Sequence, residues 1–336
     1  MSVPPGVDCT PEEYSQSLSD ASIHCLTRGQ SIGVAVRIEA GLISLVAVVG
    51  VFILIIRNGI RHVRRTGEWH LVQDPMDVLM LSLFAADLVQ AVGAVMDIKW
   101  VHSGVVAVGP FCTAQGVVQQ LGETSAAMIT LLITLFTFAG VWFRKSSTSL
   151  AAVLVALVWI FVMLIITIGN TTHRGSHSLF ESPTPYWCWL GQDFLGFRLA
   201  GEYVWFWINL AVAVIVYITL FLWARGNITI SDTVWWRFSV HRSPADADAE
   251  RARRQTSYAM IAYPICYCVL LVPLSVVRWI GFVEERGGRM DSIPSAATLA
   301  VISLYGLSGA SNVVLLLSTK PDSMLFGGWQ GGAGWA

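Results

Sequence analysis

Apolar residues occur in long runs that are separated by shorter polar segments along most of the chain. A helix needs about 20 apolar residues to cross the hydrocarbon core of a bilayer, which is about 30 Å thick. Seven runs meet this requirement, at about 34–56, 75–97, 110–141, 149–169, 200–223, 258–282 and 295–317. The pattern therefore predicts an all-α membrane protein, a seven-transmembrane helix bundle.

Composition agrees with this prediction. The 336 residues are 54% hydrophobic and 13% charged, whereas soluble domains carry about 25% charged residues. The expected organisation is an N-terminal segment at 1–33, one membrane domain at 34–320 and a short tail at 321–336. The first 33 residues lack the basic start and apolar run of a cleaved signal, so the first span is expected to direct insertion.

Basic residues are distributed unevenly between the two sides that this topology creates. Thirteen Lys and Arg residues fall on the side that holds the first loop and the tail, and seven fall on the side that holds the N-terminus. Cytoplasmic loops are enriched in Lys and Arg. The distribution predicts an N-terminus outside and a cytoplasmic C-terminus.

Two cysteines are predicted to form a disulfide on the outer side. Cys112 opens the third span and Cys188 lies in the loop between the fourth and fifth spans, so this topology exposes both to an oxidising compartment. Whether Cys9 and Cys25 also pair is left open. The first sequon on the outer side, at Asn170, lies close to the membrane, and its glycosylation is left open as well.

The second and seventh spans carry polar residues that are expected to meet inside the bundle. Asp87 lies midway along the second span, where an unpaired carboxylate costs about 2.5–3.5 kcal/mol. We interpret it, with Ser311 and Asn312, as a hydrated polar centre that biases two helix packings; a purely structural Asp87 is the alternative. Pro264 and Pro273 are predicted to kink the sixth span and to make it the moving helix.

A second set of residues lies near the outer ends of the third, fifth and sixth spans. Glu123 and Arg278 supply charges that bind polar or anionic groups, and aromatic side chains supply stacking surfaces. The alternative is that Arg278 extends to the interface and the tryptophans face lipid. The candidate ligand-pocket residues are Glu123, Glu202, Trp205, Arg278 and Trp279.

Basic residues near the inner ends of the third and sixth spans form a candidate docking rim. Such a surface suits an acidic protein partner or anionic membrane lipids. The residues are Arg144, Lys145, Arg251, Arg253 and Arg254.

Several other functions are disfavoured by residue placement. A retinal protein needs a lysine inside the seventh span, but Lys99, Lys145 and Lys320 all lie in loops or at span ends. All seven histidines fall in loops or tails, which disfavours a membrane zinc hydrolase. We therefore predict no catalytic, metal or cofactor site and no nucleic-acid partner. A small transporter that uses Asp87 and Glu123 in a proton or solute path remains the alternative.

Four short segments resemble the fungal and slime-mould group of seven-transmembrane receptors, which includes glucose-receptor-like and cyclic-AMP-receptor-like G-protein-coupled receptors. Their order and membrane position carry the resemblance more than any single motif does. The segments are Leu-Ser-Leu-Phe-Ala-Ala-Asp-Leu at 81–88, Phe-Cys-Thr-Ala-Gln-Gly at 111–116, Tyr-Trp-Cys-Trp-Leu at 186–190 and Gly-Leu-Ser-Gly-Ala-Ser-Asn at 306–312.

This resemblance implies a multi-pass plasma-membrane receptor. It would transduce an extracellular small-molecule signal, nutrient or cyclic-nucleotide-like, to the α subunit of a heterotrimeric G protein. The expected ligand position is among helices three, five, six and seven, beneath the disulfide-bridged loop. Movement of helix six would then open the cationic rim to the α subunit.

Overall fold

The structure is a computed structural model that describes residues 3–7, 9–67, 72, 74–143, 147–173, 180–225, 227–230, 238–240, 247–286 and 293–319. For residues 247–264 it describes the helical backbone only. The helices are α1 (Pro11–Ser19), α2 (Arg28–Thr66), α3 (Pro75–Val95), α4 (Ile98–Ser103), α5 (Pro110–Trp142), α6 (Thr148–Thr172), α7 (Leu195–Arg198), α8 (Val204–Ala224), α9 (Ala247–Arg286), α10 (Ser295–Tyr305) and α11 (Ser308–Thr319).

Seven segments among the described residues are long and apolar enough to cross a membrane, and the predicted seven-helix fold is confirmed. The second span combines α3 with α4, and the seventh combines α10 with α11. The fifth adds a 3-10 turn (Gln192–Phe194), α7 and a π turn (Leu199–Tyr203) before α8. The second span continues past its predicted end at 97 into α4. The predicted seventh span is continuous, whereas the structure interrupts it after Tyr305.

Local sequence explains where the helices begin and end. Thr27 and Gln30 form a reciprocal capping box at the start of α2, which satisfies two free backbone N–H groups. Gly67 ends the same helix with a φ of 76°, a left-handed conformation that glycine adopts without steric cost. Helices α3 and α5 start at Pro75 and Pro110, where the missing N–H is harmless.

Small residues bring the second and third spans into close contact. A Cβ atom on Gly122 of α5 would collide with the Gln90 backbone of α3, and one on Gly93 of α3 would meet Gln119. The outward faces, in contrast, expose large apolar side chains, including Val46 at 70% and Ile215 at 66%. Polar residues thus face inward and apolar residues outward, the arrangement expected when the surrounding solvent is lipid.

The described residues between the helices include three two-stranded antiparallel sheets. At one end of the bundle, a disulfide joins Cys9 to Cys25 in the N-terminal segment. We name the end that carries this segment and the first two sheets the cap end. The strand pairs are β1 (Ile23–Cys25) with β2 (Val105–Ala107), β3 (Glu181–Pro183) with β4 (Cys188–Leu190), and β5 (Ile228–Ile230) with β6 (Phe238–Val240).

Candidate functional site at the cap end and its connection to Asp87

The β3–β4 hairpin lies inside the cap end of the bundle, and both strands are buried. The predicted disulfide is confirmed, because Cys188 of β4 is bonded to Cys112 at the start of α5. The Cys188 N–H also donates to Gln115 Oε1 at 3.1 Å. With its amide suitably oriented, Gln119 donates to the Cys188 carbonyl at 3.1 Å and accepts from Arg37. The hairpin is therefore fixed to α5 by covalent and polar contacts.

Glu181 of β3 is buried although it lies outside the spans. Its Oε1 accepts a hydrogen bond from Asn170 Nδ2 at 3.0 Å. Burial raises the pKa of the Glu181 carboxyl, and the hydrogen bonds from Asn170 and Thr113 oppose that shift. The amide of Asn170, whose glycosylation the sequence left open, is thus engaged in holding the hairpin against α6.

Beneath the hairpin, Arg37 of α2 forms an ion pair with Asp97, between α3 and α4. Arg37 Nη1 lies 2.6 Å from Asp97 Oδ2, and the two side chains are 3% and 0% exposed. Gln115 donates to the other Asp97 oxygen and accepts from Trp100 Nε1 at 2.6 Å. Both side chains are almost fully removed from bulk water, so each partner depends chiefly on the other for charge compensation.

Two tryptophans of the hairpin stack against three arginines from different elements. The Trp187 ring centroid lies 4.4 Å from Arg37 Cζ and 4.8 Å from Arg278 Cζ. The Trp189 ring centroid lies 5.2 Å from Arg278 Cζ and 5.2 Å from Arg198 Cζ. Cation–π contacts of this kind are strongest where water is excluded, and both indoles are 2% exposed.

Three of the five predicted pocket residues come together here. The Glu123 side chain on α5 contacts the Glu202 side chain in the π turn, and Arg278 of α9 lies close enough to act on both charges. Glu123 and Glu202 are 7% and 2% exposed. We define the cap-end cluster as the residues of this charged group and its two tryptophans: Arg37, Asp97, Glu123, Trp187, Trp189, Arg198, Glu202 and Arg278.

The other two predicted pocket residues lie elsewhere. Trp279 is 51% exposed on the outer face of α9, because neighbouring residues on a helix point about 100° apart and Arg278 takes the inward position. Trp205 packs its ring on Phe161 of α6 and donates its indole N–H to the Ala200 carbonyl at 3.0 Å. The aromatic surfaces beside Arg278 come from the hairpin instead.

The hairpin side chains fill the position that the sequence suggested for a ligand. Trp187 contacts both Arg37 and Arg278, so it occupies the space where a ligand would meet those charges. Ligand pockets usually enclose about 300–1,000 Å³, whereas two cavities inside the bundle measure about 10 and 60 Å³. A ligand at this position therefore requires the hairpin to shift.

Deeper in the bundle, Asp87 of α3 pairs with Asn312 of α11. Asn312 Nδ2 donates to Asp87 Oδ2 at 2.9 Å, while the other Asp87 oxygen is buried without a partner among the described residues. The predicted third member, Ser311, instead contacts the Cys266 thiol of α9. Ser311 and Asn312 are consecutive on a helix, so they cannot both face Asp87.

The seventh span is interrupted beside Asp87, and a side chain of α2 forms hydrogen bonds with the interrupted backbone. Ser44 Oγ donates to the Gly306 carbonyl at 2.7 Å and accepts from the Ala310 N–H at 3.2 Å. Both backbone groups would otherwise be unpaired within an apolar region, which is costly in a bilayer. A Cβ on Gly309 would lie 3.3 Å from Asp87 Cβ. A small side chain is therefore needed where α11 meets α3.

Two cavities adjoin this break, and the first of them connects it with the cap-end cluster. The first, of about 10 Å³, is bordered by Arg37, Glu123 and Asp87. The second, of about 60 Å³, extends from Asp87 past Asn312 to Thr134. A water molecule needs about 10–15 Å³ and several polar partners. The cavities therefore have room for a few water molecules, and the first forms a short polar route from Arg37 and Glu123 to Asp87.

The predicted moving helix and docking rim are described only in part. Helix α9 is continuous through Pro264 and Pro273, so the structure shows two positions without backbone donors inside one long helix. Arg144 and Lys145 lie outside the described residues, as do the side chains of Pro264, Arg251, Arg253 and Arg254. The docking rim stays a prediction.

Sequence reasoning missed Arg37, Asp97, Trp187 and Ser44. The charge distribution counts Arg37 among the seven basic residues on the side of the N-terminus, although it falls inside the predicted first span. An ionisable residue within a span usually faces the interior and has a partner, and this rule would have singled out Arg37. Neither Ser44 nor Trp187 carries a comparable signal.

Among the described residues, no three His, Cys, Asp or Glu side chains come together as metal ligands. No family model matches the sequence, and no curated protein matches it significantly.

Proposed function

We propose that this chain is a G-protein-coupled receptor of the plasma membrane, with its cap end outside the cell. The proposed signal is an extracellular small molecule, nutrient or cyclic-nucleotide-like, and the proposed partner is a heterotrimeric G-protein α subunit. The ligand class and the partner come from the sequence resemblance to the fungal and slime-mould receptor group. The positive-inside distribution supports the orientation.

One observation carries the proposal: a polar route links the buried cap-end cluster to the break in the seventh span. The first cavity touches Arg37 and Glu123 at one end and Asp87 and Gly309 at the other. A shift of the hairpin would move Trp187 away from Arg37 and Arg278 and so disturb the interactions of both arginines with buried carboxyl groups. The packing around Asp87 would change as a result. Such a two-state element is what a receptor needs to pass a signal between its two sides.

The Asp87–Asn312 hydrogen bond gives this proposal a direct test. The full chain in nanodiscs would be assayed for nucleotide exchange on a panel of α subunits, as wild type, as Asp87→Asn, as Asn312→Ala and as the double variant. We expect each variant to change exchange, and the double variant to depart from additivity, because the two side chains share one bond. Asp193→Asn, an exposed change at the cap end, serves as the control.

The opposite result would count against the switching role. If Asp87→Asn altered neither exchange nor its response to a nutrient and cyclic-nucleotide library, while folding normally, the bond would be structural only. Non-additivity in thermal unfolding without any change in exchange would lead to the same conclusion.

A transporter is the second candidate, and one observation favours a proton path over a solute path. Buried carboxyl groups line the same route at Glu123 and Asp87, and Asp97 and Glu202 are buried in the cap-end cluster, as in proton relays. The adjoining cavities are too small for a solute. A proton gradient that dissipates through reconstituted wild type, but not through Asp87→Asn, without any effect on α subunits, would favour this alternative.

A further inference from the structure

Helix α2 is longer than a membrane span requires. Its 39 residues extend about 58 Å at 1.5 Å per residue, almost twice the hydrocarbon thickness. Glu39 is exposed near the cap end, so it marks one membrane boundary. Arg57 lies about 27 Å further along the helix, close to the opposite boundary. The remainder of α2 therefore passes through the head-group layer and beyond it.

This part of α2 carries a stripe of exposed arginines. Successive helical residues are 100° apart, so the four arginines of this stripe fall within about 100° of the helix circumference. The stripe adjoins the apolar stripe of exposed Val46, Ile53 and Ile60, which are 70%, 59% and 42% exposed and face lipid. The arginines are Arg57, Arg61, Arg64 and Arg65.

None of these four guanidinium groups forms an ion pair within the described part of the chain. Arginine binds phosphate bidentately, and its long stem allows the charged group to reach the head-group layer from a lipid-facing position. The lipid-facing stripe continues directly into the arginine stripe, so the surface that covers these arginines is the membrane itself rather than a protein partner.

The spacing of the arginines limits the kind of lipid. From Arg57 to Arg65 the helix rises about 12 Å, whereas a head-group layer is about 5–8 Å thick on each side. A head group with a single phosphate reaches the first arginines only. We propose that Arg57, Arg61, Arg64 and Arg65 form a binding site for an anionic phospholipid whose head group carries more than one phosphate.

The test is native mass spectrometry of the full detergent-solubilised chain, titrated with phosphatidylinositol bisphosphate, phosphatidylserine or phosphatidylcholine. Wild type is expected to retain the bisphosphate lipid most tightly. Replacing the four arginines by glutamine should weaken that binding by about fivefold per arginine, the factor for one cation near an anionic surface. All four arginines are exposed, so the quadruple variant should unfold at the same temperature as wild type.

Arg28→Gln is the matched control, because Arg28 is an exposed arginine at the other end of the same helix. It should leave bisphosphate binding unchanged. The proposal is overturned if the quadruple variant binds as wild type does, if Arg28→Gln weakens binding equally, or if phosphatidylserine binds as tightly as the bisphosphate lipid. None of these outcomes depends on coupling to a G protein, so the site is tested independently of the proposed function.

Discussion

Replacing Asp97 by asparagine removes the negative partner of the buried Arg37–Asp97 pair and leaves the rest of the side chain in place. Arg37 is 2% exposed and Asp97 is 0% exposed, so bulk water cannot take over the lost interaction. Removing one partner of a buried pair costs about 3–5 kcal/mol. Since 1.4 kcal/mol is a factor of ten, the folded-to-unfolded ratio should fall by at least about a hundredfold.

The assay is equilibrium unfolding of the purified chain in mixed micelles with increasing denaturing detergent, followed by circular dichroism. Glu39→Gln is the control, because it removes an exposed carboxylate two residues from Arg37; it should change stability by less than about 0.5 kcal/mol. The double variant Arg37→Met with Asp97→Leu should recover much of the loss, because neither member of the pair then remains as a buried charge without its partner.

Equal stability of Asp97→Asn and Glu39→Gln would refute the reasoning. It would mean that Arg37 finds compensation elsewhere, for example from Glu123, whose carboxyl lies close enough to interact with it. A double variant less stable than Asp97→Asn would also contradict the argument, since packing rather than charge would then dominate.

Three further predictions follow from other contacts. Cys112→Ser, Cys188→Ser and the double variant should lose surface maturation to the same degree, each by the loss of one bridge worth about 2–4 kcal/mol; a greater loss in the double variant would indicate separate roles. Gly122→Ala should cost about 1–3 kcal/mol in unfolding experiments because its Cβ meets the α3 backbone, whereas Gly140→Ala, with nothing nearby, should not destabilise. Burial raises the pKa of Glu181 in the folded state, so its contribution to stability should decrease as pH rises from the ordinary carboxyl range through that raised pKa. Glu181→Gln should remove this dependence of unfolding free energy on pH. An unchanged dependence would contradict the raised pKa of Glu181.

The fold could be predicted from sequence because each span is recorded in its own composition. A run such as 149–169 is apolar throughout, and the bilayer accepts it only as a helix. The breaks were not predictable in this way. Gly306 lies in an apolar run like any other helical glycine, and the break depends on Ser44, which is far away in sequence and meets it only after packing.

The residues of the candidate site that could be predicted are those whose charged side chains are costly in lipid. Asp87, Glu123 and Arg278 stood out because charged side chains within spans require partners, and all three are inside the bundle. The partners themselves were harder to foresee. Trp187 and Trp189 belong to a loop, and their positions depend on how the disulfide to Cys112 directs the hairpin into the bundle.

Nucleotide exchange tests the central claim most directly. Purified α subunits would be incubated with the full chain in nanodiscs, and release of bound nucleotide would be followed with and without candidate ligands. The proposed receptor accelerates release from at least one α subunit, and Asp87→Asn changes that acceleration. No acceleration from any subunit, by protein shown to be folded and accompanied by proton flux in liposomes, would contradict the receptor and favour the transporter.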